Sequence, residues 1–165
     1  MTRGSGPLRV LLLGDSLSFQ GPEGIVSPDD PRLYPQVCAR VVSERLSRPV
    51  IIDAAAREGW TARDAWWALT KEPRVFAQCL PQADVVIVGV GGMDQLPAIM
   101  PTLWRDSIPY LRPGALRRRV RRAYRSMAPA LVGFSGGLMR QLPQDATDRY
   151  LTRIVQAVRA FRGDI

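Results

Sequence analysis

Three short apolar runs constrain the fold of this chain more than any other feature. Residues 8–13 (LRVLLL), 50–52 (VII) and 84–90 (DVVIVGV) are almost continuously apolar, which is typical of strands buried on both faces. A polar or glycine-containing turn and then a helical pattern follow each run. Strands that alternate with helices in this way predict a parallel sheet with helices on its faces. We therefore expect an α/β fold with three layers, α/β/α.

Capping signals and apolar spacing predict the main helices. Asp30 followed by Pro31 predicts the start of one helix, and Thr61 with Asp64 forms an acidic variant of the capping box for the next. Residues 150–161 are apolar at helical spacing and predict an amphipathic helix at the end of the chain. The expected apolar face of the first helix consists of Leu33, Val37, Val41 and Leu46.

The length of 165 residues fits a single domain. No strand candidate follows residue 95, so we expect one domain over residues 1–165 whose last αβ unit is incomplete.

The longest apolar runs fall far short of the roughly 20 residues that span a bilayer, and no signal-peptide pattern opens the sequence, so a cytoplasmic location is expected. Cys38 and Cys79 match neither a disulfide framework nor a zinc site and are expected to be buried free thiols.

The chain contains no histidine. A Ser-His-Asp triad therefore cannot be assembled within it, and most histidine-based metal chemistry is excluded as well. We expect neither a metal nor a bound cofactor.

Positive charge is concentrated in the second part of the chain. Residues 105–165 hold 13 of the 23 basic residues and 4 of the 15 acidic ones, and six arginines fall between residues 117 and 125. Such a cluster can bind nucleic acid, an anionic membrane surface or the phosphates of coenzyme A, but a solvated helix face is an equally good interpretation. No aromatic interleaving accompanies the run, so nucleic acid is not expected. The candidate anion-binding residues are Arg117, Arg118, Arg121 and Arg122.

Three turns are expected at the carboxyl edge of the sheet, where open parallel sheets bind ligands. They are residues 14–18 (GDSLS), 58–61 (EGWT) and 91–94 (GGMD). Ser16 would follow a buried strand at the start of the next segment, where free N–H groups favour an oxyanion, so it is the candidate nucleophile. The alternative is that the Gly-Asp-Ser tripeptide only caps a helix and that the glycines only form turns.

The three turns resemble the blocks of the SGNH or GDSL hydrolase superfamily, which implies its flavodoxin-like fold. Residues 14–18 match the nucleophile block, with Ser16 as nucleophile and its N–H as an oxyanion donor. Gly59 corresponds to the glycine that lends a second N–H, and residues 91–94 stand where the superfamily has Gly-x-Asn-Asp. Met93 replaces the asparagine, and a thioether cannot donate a hydrogen bond. The Asp-x-x-His block, which supplies the catalytic acid and base, is missing.

A closer resemblance is to a family of mycobacterial SGNH-type acyltransferases, in which methionine is the usual residue at the Met93 position. It rests above all on residues 59–68 (GWTARDAWWA), 91–97 (GGMDQLP) and 110–124 (YLRPGALRRRVRRAY), and it extends over about residues 8–161. The resemblance implies transfer of an octanoyl group from octanoyl-CoA to a hydroxyl of a glucosylglycerate-type sugar acceptor, through an ester on Ser16.

The same resemblance implies that the chain lacks the last strands of the fold. Ser16 would then have no base and would remain a poor nucleophile, so the chain by itself would be inactive. Two alternatives remain. One is an esterase that releases the acyl group to water, and the other is a non-catalytic fragment with an anion-binding arginine surface.

Four residues near the second and third turns are expected to contact the substrate: Trp60, Arg63, Gly92 and Met93. Trp60 adjoins the oxyanion glycine and is placed to stack on a sugar ring. Arg63 would bind the glycerate carboxylate, pair with Asp64 or form an exposed helix charge. Trp66 and Trp67 are expected to pack in the core.

Asp94 completes the candidate catalytic set with Ser16 and Gly59. Two roles are open for it. Its carboxylate would either orient an active-site group or cap a helix that begins near Gln95.

Overall fold

The computed structural model describes residues 6–21, 23–97, 110, 112–134 and 140–163. The regular elements, in chain order, are β1 (Leu8–Gly14), β2 (Gln20–Gly21), β3 (Gly24–Ile25), α1 (Tyr34–Leu46), β4 (Val50–Ala56), α2 (Ala62–Lys71), α3 (Leu80–Gln82), β5 (Val85–Gly89), α4 (Gly114–Phe134) and α5 (Gln144–Phe161). A π-helical turn, Arg74–Cys79, leads into α3. Single 3-10 turns occupy Ser16–Ser18 and Met93–Gln95.

Strands β4, β1 and β5 form a parallel sheet with β1 in the centre. Gly14, the last residue of β1, lies opposite Ala56 on one side and Gly89 on the other. The carboxyl ends of the three strands therefore share one edge. This arrangement confirms the predicted parallel α/β sheet. Strand β4 continues to Ala56 and so exceeds the predicted strand, because its last residues remain paired with β1.

Helices cover both faces of the described sheet. One face packs against α2, the π-helical turn and α5, and the opposite face of β4 packs against α1. Side chains alternate along each strand, so Leu11 and Leu13 enter the main core while Leu12 points towards α1. The buried members of the main core are Leu11, Leu13, Ala55, Ala65, Leu69, Val75, Cys79, Leu80, Ala83, Ile154 and Val158.

Helix α1 begins at Tyr34, and the prediction that it starts at Asp30 and Pro31 is wrong. The carboxylate of Asp30 accepts hydrogen bonds from the backbone N–H of Arg32 at 2.9 Å and from its guanidinium at 2.8 Å. These bonds from Arg32 lower the pKa of Asp30 to about 2. Asp30 therefore closes a turn ahead of the helix. Pro35 occupies the first helical turn, where its missing N–H costs nothing.

The predicted apolar face of α1 is buried only near the start of the helix. Leu33 is buried and Val37 is half-buried, but Val41 and Leu46 are 40% and 56% exposed. Within the described part of the chain, the second half of α1 thus presents apolar side chains at the surface.

The other two predicted helices are confirmed. The N–H of Thr61 donates to Oδ2 of Asp64 at 2.9 Å, and the N–H of Asp64 donates back to Oγ1 of Thr61 at 3.4 Å, which completes the capping box of α2. Helix α5 buries Ile154 and Val158, as its apolar spacing predicts. None of the described helices is long and apolar enough to cross a membrane.

The two cysteines differ in environment. Cys79 lies in the main core, where burial raises the pKa of its thiol. Cys38 is exposed on α1. The expectation of buried free thiols is therefore confirmed for Cys79 and wrong for Cys38, because the side of α1 that carries Cys38 does not face the sheet.

Arg162 ties the end of α5 to the start of β5. Its Nη1 donates to the carbonyl oxygens of Pro81 and Ala83 at 2.8 and 2.7 Å, and the residue is buried. Hydrogen bonds from a charged donor are stronger than neutral ones. This single side chain therefore holds α5 against the segment that enters the third strand of the sheet.

We expect Arg162→Met to lower the free energy of unfolding by about 2 kcal/mol, because two charge-assisted bonds are lost and two carbonyls lose a donor. Arg159→Met on the same helix is the matched control, since Arg159 is exposed, and it should change the free energy by less than about 0.5 kcal/mol. Urea unfolding followed by tryptophan fluorescence measures both. Equal effects of the two substitutions would contradict the proposed anchor.

Candidate active site

The three predicted turns leave the sheet at the same edge. Gly14, Ala56 and Gly89 lie side by side at the ends of their strands, so the segments that follow them start next to one another. The placement expected from the sequence is confirmed for all three turns. The sheet register therefore creates a site to which segments far apart in the chain contribute.

Ser16 lies in the 3-10 turn directly after β1. The buried carboxylate of Asp15 caps this turn by accepting a hydrogen bond from the N–H of Leu17 at 3.0 Å. Ser16 itself is partly exposed, and no described residue hydrogen-bonds its hydroxyl. The capping interpretation therefore applies to Asp15, which leaves the hydroxyl of Ser16 available for chemistry.

Two residues that the sequence did not single out, Ser18 and Tyr34, also lie at this edge. Their hydroxyl oxygens are 3.1 Å apart. A β-carbon at Gly14 would overlap Oγ of Ser18, and one at Gly89 would lie 3.2 Å from Oη of Tyr34. The two glycines thus make room for the hydroxyl pair above the strand ends. The GDSLS motif contains Ser18, but nothing local pointed to Tyr34.

Gly59 lies in the tight turn that follows β4. Its φ of +74° is in the left-handed region, which side-chain-bearing residues rarely adopt. The turn is closed by the N–H of Trp60, which donates to the carbonyl oxygen of Arg57 at 3.3 Å. Glycine is therefore required here by the backbone, whatever further role its N–H has.

Asp94 is fully buried and connects three segments of the site. One carboxylate oxygen, Oδ1, accepts from the N–H of Ala62, the first residue of α2, at 3.0 Å. The other, Oδ2, accepts from Oγ1 of Thr147 in the first turn of α5, also at 3.0 Å. The alternative that Asp94 caps a helix near Gln95 is wrong, because its side chain reaches back to α2 and no helix begins at Gln95 in the described chain.

Burial raises the pKa of Asp94, and the hydrogen bonds from Thr147 and Ala62 act in the opposite direction. The nearby carboxylates of Asp64 and Asp15 raise this pKa further. The ionised form of Asp94 is thus costly and depends on its two donors. The folded-state pKa of Asp94 lies above its ordinary value of 3.8, so the folded protein favours the protonated carboxyl group. The contribution of this group to the free energy of unfolding is therefore fully present below pH 3.8 and is lost as the pH rises through the raised pKa.

The surroundings of Arg63 and the tryptophans differ in part from expectation. Arg63 is buried, not exposed, with its guanidinium 3.8 Å from Asp64 and 4.9 Å from the centre of the Trp67 ring. Trp66 packs against the main core, as predicted. Trp67 is 45% exposed, so its predicted burial is wrong: Ala65 and Leu69 face the core, and Trp67 falls on the other side of α2.

Trp60 is partly buried against the main core and lies beneath the guanidinium of Arg57, 5.7 Å from the ring centre. Gly92 and Met93 form the third turn, where Gly92 has an ordinary helical φ and Met93 is partly exposed. These three residues lie in the turns that follow the strands, as expected. Their contact with a substrate remains a prediction.

The arginine cluster lies on α4. Arg117, Arg118 and Arg122 are exposed, and the side chain of Arg121 lies outside the described residues. An exposed position fits both a solvated helix face and an anion-binding surface.

Among the described residues, no group of three or more histidine, cysteine, aspartate or glutamate side chains is arranged to hold a metal ion.

Fold and site together define an α/β protein with a candidate nucleophilic serine at the carboxyl edge of a parallel sheet. The chain is similar to two diglucosylglycerate octanoyltransferases. It is 44% identical to the protein of Mycolicibacterium hassiacum over 142 residues and 40% identical to that of Mycobacterium tuberculosis over 156 residues. These matches cover 86% and 94% of this chain, but 55% and 59% of the relatives. No protein-family model matches the chain.

Removing the hydroxyl of Thr147 should destabilise the ionised form of Asp94. We expect Thr147→Val to raise the pKa of Asp94 and to lower the free energy of unfolding at neutral pH by about 1–2 kcal/mol, because a buried carboxylate loses a donor. Carboxyl-carbon NMR titration and urea unfolding measure the two effects. Thr152→Val, at an exposed position on the same helix, should change neither. An unchanged Asp94 titration in Thr147→Val would refute the coupling.

Proposed function

We propose that this chain carries the nucleophile-bearing part of an octanoyltransferase of the SGNH type. The proposed reaction moves an octanoyl group from octanoyl-CoA to a hydroxyl of a diglucosylglycerate acceptor. The observation that carries the proposal is the position of Ser16, in a capped turn at the edge where three strands end. Similarity to two diglucosylglycerate octanoyltransferases along most of the chain supports the choice of substrates.

In the proposed first step, Oγ of Ser16 attacks the thioester carbonyl. The C–S bond breaks, an ester forms on Ser16, and the coenzyme A thiolate leaves and takes up the proton that the serine gives up. In the second step the sugar hydroxyl attacks this ester, its proton returns to Ser16, and the octanoyl ester of the acceptor is released. The N–H groups of Ser16 and Gly59 are the proposed oxyanion donors.

Asp94 acts in this proposal as a positioning residue. Its carboxylate holds the start of α2, which follows the Gly59 turn directly, and the start of α5. The carboxylate is fully buried and already accepts hydrogen bonds from both segments. Its proposed contribution is therefore to fix the second and third turns relative to each other.

The base that accepts the proton of Ser16 is not a histidine of this chain, because the chain has none. A general base typically contributes about a hundredfold to ten-thousandfold in rate. The chain alone should consequently acylate very slowly. An external base that can enter the site should restore part of the loss, since Ser16 is partly exposed.

We expect a single octanoyl adduct on the chain after incubation with octanoyl-CoA, formed at least about tenfold faster when imidazole is added as the base. Intact-mass spectrometry over time measures the rate. Ser16→Ala should form no adduct, whereas Ser27→Ala, in an exposed loop, should behave like the wild type. The proposal fails if wild-type protein with imidazole forms no adduct, or if Ser16→Ala forms it equally fast.

An esterase is the second candidate, because the exposure of Ser16 and of its neighbour Leu17 leaves the site open to water. The two functions differ in the acceptor. If octanoyl-Ser16 protein is isolated, the transferase predicts that diglucosylglycerate speeds loss of the acyl group at least about tenfold and appears octanoylated. Equal rates of loss with and without the sugar would favour the esterase.

The substrate contacts follow from the same proposal. Trp60, Gly92 and Met93 are proposed to line the acceptor side of the site, since they lie in the second and third turns. The exposed arginines of α4 are proposed to contact anionic groups, with the phosphates of coenzyme A as the first choice and an anionic membrane surface as the second. Arg63 is less suited to a glycerate carboxylate, because its guanidinium already contacts Asp64 and Trp67.

A further inference from the structure

A cavity of about 200 Å³ lies on the α1 side of the sheet, next to the candidate nucleophile turn. One wall is β4, another is the start of α1, and residues 28 and 29 form part of the rim. The side chain of Gln36 holds this rim in place by donating to the carbonyl oxygen of Pro28 at 2.9 Å. Its lining includes Ser18, Phe19, Pro35, Ile52, Ala54 and Ala56.

The strand wall of the cavity runs from the site edge into the fold. Ile52, Ala54 and Ala56 alternate along β4 and so share the face opposite to Ala55, which lies in the main core. Ala56 is level with Gly14, where the Ser16 turn leaves the sheet. Ile52 lies four residues further in, which is about 13 Å along the strand. The two alanines leave the space that larger side chains would fill.

The strand wall of the cavity is apolar, whereas Ser18, Asp29 and Gln36 bring polar groups to the rest of the lining. Phe19, Pro35, Ile52 and the two alanines contribute hydrocarbon surface. The hydroxyl of Ser18, which belongs to the candidate nucleophile turn, already pairs with the hydroxyl of Tyr34. A polar ligand would find few hydrogen-bond partners along the β4 wall, so this side of the cavity suits a hydrocarbon occupant.

We propose that this cavity holds the acyl chain of the donor, with the acyl carbonyl at the Ser16 edge and the methyl end towards Ile52. The inference rests on the proposed function and adds the acyl subsite to it. An extended octanoyl chain has seven carbon–carbon bonds of about 1.5 Å and spans about 9 Å, so a chain that starts at Ala56 passes Ala54 and ends short of Ile52 on a wall of about 13 Å. Cavities of about 150 Å³ hold benzene, so the volume is also of the right order.

The test uses S-alkyl thioethers of coenzyme A, which bind but cannot transfer an acyl group. Affinities for the octyl and butyl thioethers are measured by isothermal titration calorimetry. Ala54→Leu fills the middle of the wall and should weaken octyl binding at least about tenfold while changing butyl binding less than about twofold, because only the longer chain reaches that depth. Ala160→Leu, at an exposed position on α5, should change neither affinity.

A second variant enlarges the cavity instead of filling it. It therefore does not require the fold to accommodate a larger side chain. Ile52→Ala deepens the cavity and should improve binding of the decyl relative to the octyl thioether at least about fivefold. Thermal unfolding confirms that each variant is folded. The proposal is overturned if octyl and butyl affinities fall together in Ala54→Leu, if Ile52→Ala leaves the chain-length profile unchanged, or if the folded wild type does not prefer octyl to butyl.

The thioether titrations and the adduct assay with wild type and Ser16→Ala together separate the two proposals. Length-selective thioether binding that persists without any octanoyl adduct on the wild type would retain the acyl subsite and overturn the transfer reaction. A Ser16-dependent adduct together with an unchanged length profile in the cavity variants would retain the reaction and overturn the subsite.

Discussion

The buried carboxylate of Asp94 is the interaction on which the geometry of the site depends. It joins the turn after β5 to the first N–H of α2 and to Thr147 of α5, two groups that are 85 positions apart in the chain. A buried carboxylate is costly unless its oxygens are satisfied, and here both accept hydrogen bonds. Movement of any one of the three segments would leave a buried charge with too few donors. The three segments are therefore coupled through one side chain.

The residues that end the three strands are small, and this also shapes the site. Ala56, Gly14 and Gly89 lie side by side, and none carries a large side chain. The missing side chains allow Ser18 and Tyr34 to meet above the strand ends. Ala56 also lines the cavity on the α1 side of the sheet. One row of small residues thus adjoins the candidate nucleophile turn, the hydroxyl pair and the proposed acyl subsite.

Strands, most helix starts and the common edge of the three turns could be predicted from sequence, whereas individual side-chain contacts could not. The apolar runs indicated all three strands, and Thr61 with Asp64 indicated the start of α2, because burial and capping are local properties. The start of α1 was misplaced because Asp30 has a competing partner in Arg32. The partner of Asp94 in α5 lies 53 residues away and left no local signal. The burial of Arg63 likewise depends on packing that no short motif reports.

If β4 lines an acyl subsite as proposed, the alternation of Ile52, Ala54 and Ala56 sets the accepted chain length in coarse steps. Side chains that face the cavity recur every second residue, about 6.6 Å apart along the strand. Each division corresponds to about five methylene groups of an extended hydrocarbon. A change at one position of the wall therefore shifts the accepted chain length by several carbons at once. Selectivity between chains that differ by one carbon would have to come from the fit of the floor, where the side chain of Ile52 can adjust by single rotamers.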